Sequence, residues 1–469
     1  IAGSDWSSDV CSSDLSYDKL NEKIMDMQDE IIKAVQGCVQ IDSVKAAPEE
    51  GAPYGKGCRA ALDYALKLGE SLGFKTGNVG NRVGYVEFGE GDEMVGVLGH
   101  LDVVPVGEGW TYPPFGAEIH DGKLYGRGVQ DDKGPTIGAI YGLKAIRDLG
   151  LPINRRIRVL FGTDEENGSS CVRYYIENGG ELPTLGFTPD GDYPLIFCEK
   201  GAHNMLVGKK ITDPGKIKVK SFHGGIAANV VTPYCKLVVE GDIPVAEVEG
   251  VRVHKEGNDT IVEADGFGAH GSTPEKGINA AERLFEAVKD VDFGGDFQHM
   301  INFVRNELNG ETNGKTLGIY YQDDETGETT VNLGVVNYDG EEMSLTLDIR
   351  YPKNAVVADV SANVEAALKK EDMGVLRCII TPILYISKET PLIKKLCKVY
   401  AEETGEYLEP LAIGGGTYAK AFKNMVAFGP EFPGQGSAIH QPNEFVEIDK
   451  MMKSCQIVAA AMYELAQKD

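Results

Sequence analysis

Met94-Val95-Gly96-Val97-Leu98-Gly99-His100-Leu101-Asp102-Val103-Val104-Pro105 is the stretch on which the reading of the fold turns. Met94–Leu98 is almost wholly apolar, as a strand covered on both faces must be. The chain then leaves the strand with an imidazole and a carboxylate at i and i+2, on one side of an extended segment. Taken alone, that pair fits a histidine hydrogen-bonded at a loop edge as well as a metal ligand with an orienting carboxylate.

Working outward, Arg82–Phe88 reads as a second strand. Tyr17–Val39 carries Leu20, Ile24, Met27, Ile31, Ala34 and Val35 at helical spacing, and Lys56–Leu72 is a further helix ended by Gly73. Downstream, helix Lys133–Leu149, strand Arg156–Phe161 and helix Ser170–Asn178 continue a βαβ alternation. This predicts an α/β fold, a mostly parallel sheet covered by helices. After about Lys200 the pattern changes. Thr330–Val336 and Met343–Tyr351 alternate like half-exposed strands on either side of Asp339-Gly340, a hairpin turn signal. Only Ile278–Val288 and Asp359–Lys369 read as helices there. From about Lys388 the βα rhythm returns through helix Leu392–Glu403, a Gly-rich loop and helix Ile448–Gln467. The expected organisation is a catalytic domain in two pieces, 16–200 and 386–469, with an α+β lid domain, 201–385, inserted between them.

Composition narrows the function classes. Of 469 residues, 72 are acidic and 46 basic, and the net charge of −26 is spread along the chain. Nucleic acid and anionic membranes both demand a cationic surface, so neither is an expected partner. No apolar run approaches the ~18 residues of a transmembrane helix. The nine cysteines include no CxxC pair; an odd number at loose spacing predicts reduced, mostly buried thiols in a cytoplasm. Asp5–Leu15 reads DWSSDVCSSDL, resembles a translated sequencing adapter, and is left out of the fold reading. Genuine sequence is expected from near Ser16.

Chemistry concentrates in five places. Beside His100 and Asp102 stands Tyr125-Gly126-Arg127-Gly128-Val129-Gln130-Asp131-Asp132-Lys133, whose paired carboxylates either cap the following helix or face a metal pair. Thr163-Asp164-Glu165-Glu166-Asn167-Gly168 sets three carboxylates directly after an apolar strand, where they repel one another unless a cation compensates, and where α/β folds bind ligands. Phe187-Thr188-Pro189-Asp190 and Ala438-Ile439-His440-Gln441-Pro442-Asn443-Glu444 add a carboxylate and a second histidine. All are expected at strand ends of one domain. Nitrogen and oxygen donors without cysteine suit zinc, with manganese and cobalt compatible. His120, His203, His223, His254 and His299 fit no motif and read as structural or solvated, and Cys198 and Cys235 as packing residues.

The ordered set GHLDVVP, GRGVQDDKGP, TDEENG, FTPD and IHQPNE resembles the co-catalytic metallopeptidases that include aminoacylases, acetylornithine and succinyl-diaminopimelate deacylases, carnosinases and bacterial dipeptidases. The lid length and the sequence Ala412-Ile413-Gly414-Gly415-Gly416-Thr417-Tyr418-Ala419-Lys420 look most like the PepV-type dipeptidase branch. Asp132 beside Asp131 matches dipeptidases and carnosinases, where many deacylases have Met. The resemblance implies two zinc ions, one held by His100, Asp131 and Asp190, the other by Asp131, Glu166 and His440. Asp102 would orient His100, Glu165 would be the general base toward a shared water, and His270, in the lid's Gly-rich turn, would stabilise the oxyanion. Asn229 and Arg350 match lid positions that contact the substrate's carbonyl and carboxylate, with a pairing of Arg350 to the neighbouring Asp348 as the competing explanation of that arginine. Gly414, Gly415, Gly416 and Thr417 would offer backbone N–H groups ahead of a helix. A monomeric dipeptidase of small peptides is the implied activity, with an N-acyl amino acid deacylase as the alternative.

Overall fold

A computed structural model describes residues 9–436 and 438–468. The chain forms two compact units. One comprises the chain through Phe197 with Ile386–Leu411 and Gly416 onward; the other comprises Cys198–Tyr385 with Ala412–Gly415. The Gly-rich loop is therefore divided, Gly414 and Gly415 going with one unit, Gly416 and Thr417 with the other.

The first unit is built on a twisted sheet, six strands of which run in the order Lys75–Val79, Val83–Phe88, Arg156–Gly162, Met94–His100, Leu185–Thr188 and Met425–Ala427. The last four are mutually parallel and the first two antiparallel. Met94–His100 and Arg156–Gly162 are buried at every residue, which is why Met94–Leu98 and Val159–Phe161 read as apolar runs, Arg156 and Arg158 being buried with them. The helices Lys56–Ser71, Lys133–Asp148 and Ile448–Leu465 pack on this framework. Gly99 lets the end of the central strand press against the first turn of Lys133–Asp148: a Cβ there would stand 2.0 Å from Thr136 Oγ1. The expected helix Tyr17–Val39 is two helices, Asp9–Asp26 and Gln28–Val39, broken at Met27. Of the adapter-like segment, residues 5–8 lie outside the described residues, and the rest opens the first of these helices.

The second unit is an eight-stranded antiparallel sheet, ordered Val251–Glu256, Asp259–Asp265, Tyr234–Glu240, Val219–Gly224, Thr330–Tyr338, Glu342–Tyr351, Gly201–Lys210 and Gly374–Thr381. Its core gathers Phe222, Leu237, Phe285, Phe297, Leu345 and Val364, each worth about 1.5–3 kcal/mol on burial. Two of its helices, Ala280–Ala287 and Val357–Lys370, overlap those expected. A third, Gly295–Asn302, continues into a π-helical turn, Phe303–Leu308, and was not anticipated. Among the described residues, no helix is long and apolar enough to cross a membrane.

Candidate di-metal site

Three parallel strands carry their C-terminal ends to one edge of the sheet, where α/β folds collect ligands. His100 is the last residue of its strand and pairs in register with Gly162, so the loop bearing Glu165 and Glu166 leaves the sheet beside it. Asp190 follows the strand on the other side, where Phe187 is in register with Val97. Asp131 and His440 are not at ends of this sheet's strands, contrary to expectation. A small antiparallel sheet pairs Phe445–Glu447 with Lys123–Tyr125 and so brings their two loops together. His440 has φ 61°, a left-handed conformation uncommon outside glycine.

The expected ligands converge. His100 Nε2 lies 2.9 Å from Asp131 Oδ1, 3.7 Å from Asp190 Oδ2 and 4.0 Å from Glu165 Oε2. His440 Nε2 lies 2.9 Å from Asp131 Oδ2 and 3.1 Å from Glu166 Oε1. Asp131 thus turns one oxygen to each imidazole, the geometry of a bridging carboxylate. Two groups of donor atoms, His100–Asp131–Glu166 and His100–Glu165–Asp190, each lie within 4.8 Å of one another. Glu165 is as near the histidine as a ligand would be, so distance alone does not separate its role from that of Glu166.

Asp102 acts on this cluster through its backbone as well as its carboxylate. Its carbonyl oxygen is 3.0 Å from His100 Nδ1, against 3.5 Å for Oδ1. The carboxylate accepts the backbone N–H groups of Glu165 and Glu166, at 3.0 and 3.1 Å, and so fixes the loop that bears both. Asp132 does not cap the helix with its side chain. Its Oδ2 accepts from the backbone N–H of His100 and from Thr136 Oγ1, both at 3.1 Å. Of the three consecutive acids, Asp164 turns away to Lys45, 2.7 Å distant, and only two face the site. The edge of buried Tyr418 meets the His100 ring, with centroids 6.0 Å apart.

Four carboxylates, those of Asp131, Glu165, Glu166 and Asp190, surround two imidazoles, and the electrostatics follow. Burial opposes charge on His100, yet Asp102 and Asp131 hold its pKa well above the usual value. Asp131 and Glu166 raise His440 to about 10. Burial lifts Glu165 well above the ordinary carboxylate range, with His100 opposing. An acidic cluster that so favours positive charge, built from nitrogen and oxygen donors alone, fits divalent zinc, manganese or cobalt. The cavity in front of it, about 500 Å³, is lined by Asp131, Glu165, Glu166, Asp190 and His440, with Gly416 and Thr417 on its wall.

The remaining candidates lie in the inserted unit and keep one another's company. His270 Nδ1 is 2.7 Å from Ser272 Oγ, Asn229 accepts the N–H of Gly271 at 2.7 Å, and burial followed by the Arg350 charge lowers the His270 pKa. Arg350 forms a fork with Asp348, at 2.7 and 3.0 Å, and its third nitrogen lies 3.5 Å from the Gly414 carbonyl. The helix expected after Thr417 is a single 3-10 turn, Tyr418–Ala421, so the loop faces little of a helix dipole. Of the other histidines, His120 meets Glu118, His254 meets Glu256 and His299 meets Glu371. His203 meets Cys378. Residues missed from the sequence are Asp192 and Glu431 on the cavity wall and the buried pair Arg127–Glu444. Arg127 and Glu444 stand in motifs already quoted and Asp192 and Glu431 in none, and nothing in a single sequence says which distant groups face each other.

Known proteins place the chain. Residues 96–464 match the model of peptidase family M20/M25/M40, and the chain belongs to that family. It is 36% identical to a putative dipeptidase, YtjP, of Bacillus subtilis (strain 168), over 95% of this chain and 99% of that protein. It is 32% identical to a putative dipeptidase of Staphylococcus aureus (strain USA300), over 96% and 99% of the two chains. Among solved structures, human carnosine dipeptidase 1 superposes with a TM-score of 0.60 at 19% identity, covering 96% of this chain and 99% of that one. The dipeptidase Dug1p of Saccharomyces cerevisiae superposes at 0.58 and 15%, over 97% and 99%. The mixed α/β domain with a β-rich insert is thus the M20 fold, carrying two candidate metal-binding clusters in a metallopeptidase-like hydrolase framework.

Proposed function

We propose that the protein is a dipeptidase working with two divalent cations, His100, Asp131 and Asp190 around one, Asp131, Glu166 and His440 around the other. When bound, the cations supply a water of lowered pKa and polarise the scissile carbonyl. Glu165 takes the proton from the attacking water and returns it to the leaving nitrogen; burial, which raises its pKa, suits a group that must hold a proton mid-reaction. Asp102 keeps both His100 and the glutamate loop in place. His270 donates to the oxyanion, while Asn229, Arg350 and the Gly414–Thr417 loop take the substrate's carbonyl and terminal carboxylate. Cys38, Cys58, Cys171, Cys235, Cys378, Cys397 and Cys455 are free thiols, which supports a reducing compartment such as the cytoplasm.

One observation favours dipeptides over N-acyl amino acids: the relatives at 36% and 32% identity, each covered over 99% of its length, are both putative dipeptidases. The test is metal-loaded protein assayed against dipeptides, their C-terminal amides, tripeptides and N-acyl amino acids. Free dipeptides are expected to be cleaved best, chelation to abolish the activity, and zinc, manganese or cobalt to restore it. Faster cleavage of N-acyl amino acids would make the protein a deacylase. Full turnover without metal would overturn the di-metal reading.

A further inference from the structure

Arg127 and Glu444, 317 residues apart, form an ion pair of 2.9 Å in which both side chains are almost wholly buried. Neither belongs to the donor cluster. Glu444 spends both oxygens on the loop leading to Asp131: Oε1 accepts the backbone N–H groups of Gln130 and Asp131, at 3.1 and 3.2 Å. Oε2 accepts the N–H of Gly128 at 3.1 Å as well as the guanidinium. Arg127 reaches in two further directions. Its Nη1 donates to the Gln441 carbonyl at 3.1 Å, and its Nη2 to those of Pro105 and Val106, at 3.3 and 3.2 Å. The guanidinium also lies over the Trp110 ring, 5.2 Å from its centroid. Three chain segments meet at this pair: the one that follows His100, the one that ends in Asp131, and the one that follows His440.

We infer that the Arg127–Glu444 pair is a positioning device that sets the spacing of the three segments bearing His100, Asp131 and His440, and so the affinity of the metal pair, without touching metal or substrate. The inference rests on the di-metal reading above. A buried ion pair is a poor source of stability, because desolvation consumes much of its attraction. What this one does supply is direction. Both Glu444 oxygens and both Arg127 Nη atoms, though not its Nε, bond backbone groups next to the ligands, and ligand geometry fails on errors of a few tenths of an ångström. The Asp131 amide is held by Glu444 while the Asp131 carboxylate faces both imidazoles, so the brace and the bridge share one residue.

Two variants test this. Glu444→Gln keeps the shape but sets an amide –NH₂ against donors; Arg127→Lys keeps the charge and leaves Glu444's backbone acceptors in place, but lacks the fork that reaches three segments. Stepwise zinc and cobalt binding to the apoproteins is measured by calorimetry, with cobalt absorption reporting coordination and a thermal melt of each apoprotein reporting the fold. The expected result is a ~10–100-fold loss in affinity for at least one metal equivalent, with a changed cobalt spectrum and an apoprotein that still melts cooperatively. Wild-type affinities and spectrum in a folded variant would overturn the inference. If Glu444→Gln does not fold, Arg127→Lys decides alone. A wild-type chain that takes up fewer than two equivalents would instead remove the di-metal reading itself, which separates the two failures.

Discussion

Glu165 and Glu166 are neighbours held by the two oxygens of one carboxylate, that of Asp102, yet they meet different partners. Glu166 lies against His440, and Glu165 lies near His100 and Asp190. If Glu165 moves the proton, Glu165→Gln lowers kcat by roughly 10²–10⁴-fold while metal analysis still finds both ions. A variant short of one ion would make Glu165 a ligand. His270→Ala is expected to lower turnover by about 10²-fold through the oxyanion, with metal content unchanged. Activity regained by mixing it with a His100→Ala chain would show that the histidine serves a second subunit, and none is expected. That His100, Asp131, Glu166, Asp190 and His440 would come together was legible from the order of their motifs, and only the run Asp164-Glu165-Glu166 was hard to explain by itself. The compensation of Asp164 by Lys45 was not legible, nor was the service of Asp102 through its carbonyl. Both depend on which way a side chain turns, and spacing along the chain is silent on that.

At the scale of elements, the buried strands Met94–His100 and Arg156–Gly162 were read from their apolar runs, while the equally buried but shorter Ile196–Glu199 and Met425–Ala427 were not. The helix Gly295–Asn302 was missed although Phe297, Met300, Ile301, Val304 and Leu308 recur at helical spacing. Gly294-Gly295 and a π-helical turn cut the pattern short at each end. The break at Met27 was invisible for the opposite reason, since apolar periodicity runs through it. One strand pairing yields a prediction of its own. Glu87, on Val83–Phe88, bonds Lys75 at 3.1 Å, Arg156 at 2.8 Å and Arg158 at 2.7 Å. Burial would raise its pKa, but these three cations outweigh burial and hold it below the usual range. A depressed carboxylate stabilises the fold above its unfolded pKa of about 4.3, and that stabilisation is lost as pH falls through the folded value. Glu87→Gln should therefore cost about 1.5–3 kcal/mol at pH 7, since it takes one of two carboxylates from Arg156 and Arg158 while Glu181 stays on both. The gap from wild type, followed by urea unfolding, should narrow toward pH 3; a gap constant with pH would mean that the charge is irrelevant.

Across the whole molecule, an α/β domain interrupted by an α+β insertion followed from the change in periodicity near residue 200. The division within Gly414–Thr417 did not, because a run of three glycines carries no signal of which side each belongs to. The N-terminal segment gives a direct test. Tyr17 bonds Glu464 at 2.6 Å, and Leu20 and Ile24 are buried, so the first helix docks through these residues. A chain starting at Ser16 should melt within a few degrees of the full one and turn over equally; a marked loss of stability would show that the earlier residues pack.

The small sheet that joins Phe445–Glu447 to Lys123–Tyr125 also sets a timetable. A polypeptide leaving the ribosome exposes His100, Asp131, Glu166 and Asp190 well before His440 is translated. On the proposed assignment, the donors of one cation site are thus all in the nascent chain, and the other site gains His440 only shortly before the final helix is made. Until then the acidic loops remain unbraced, because Glu444 is still missing. On that reading, translation products that stop before His440 lack both a donor of the second site and the Glu444 that braces Asp131, and are expected to bind metal poorly.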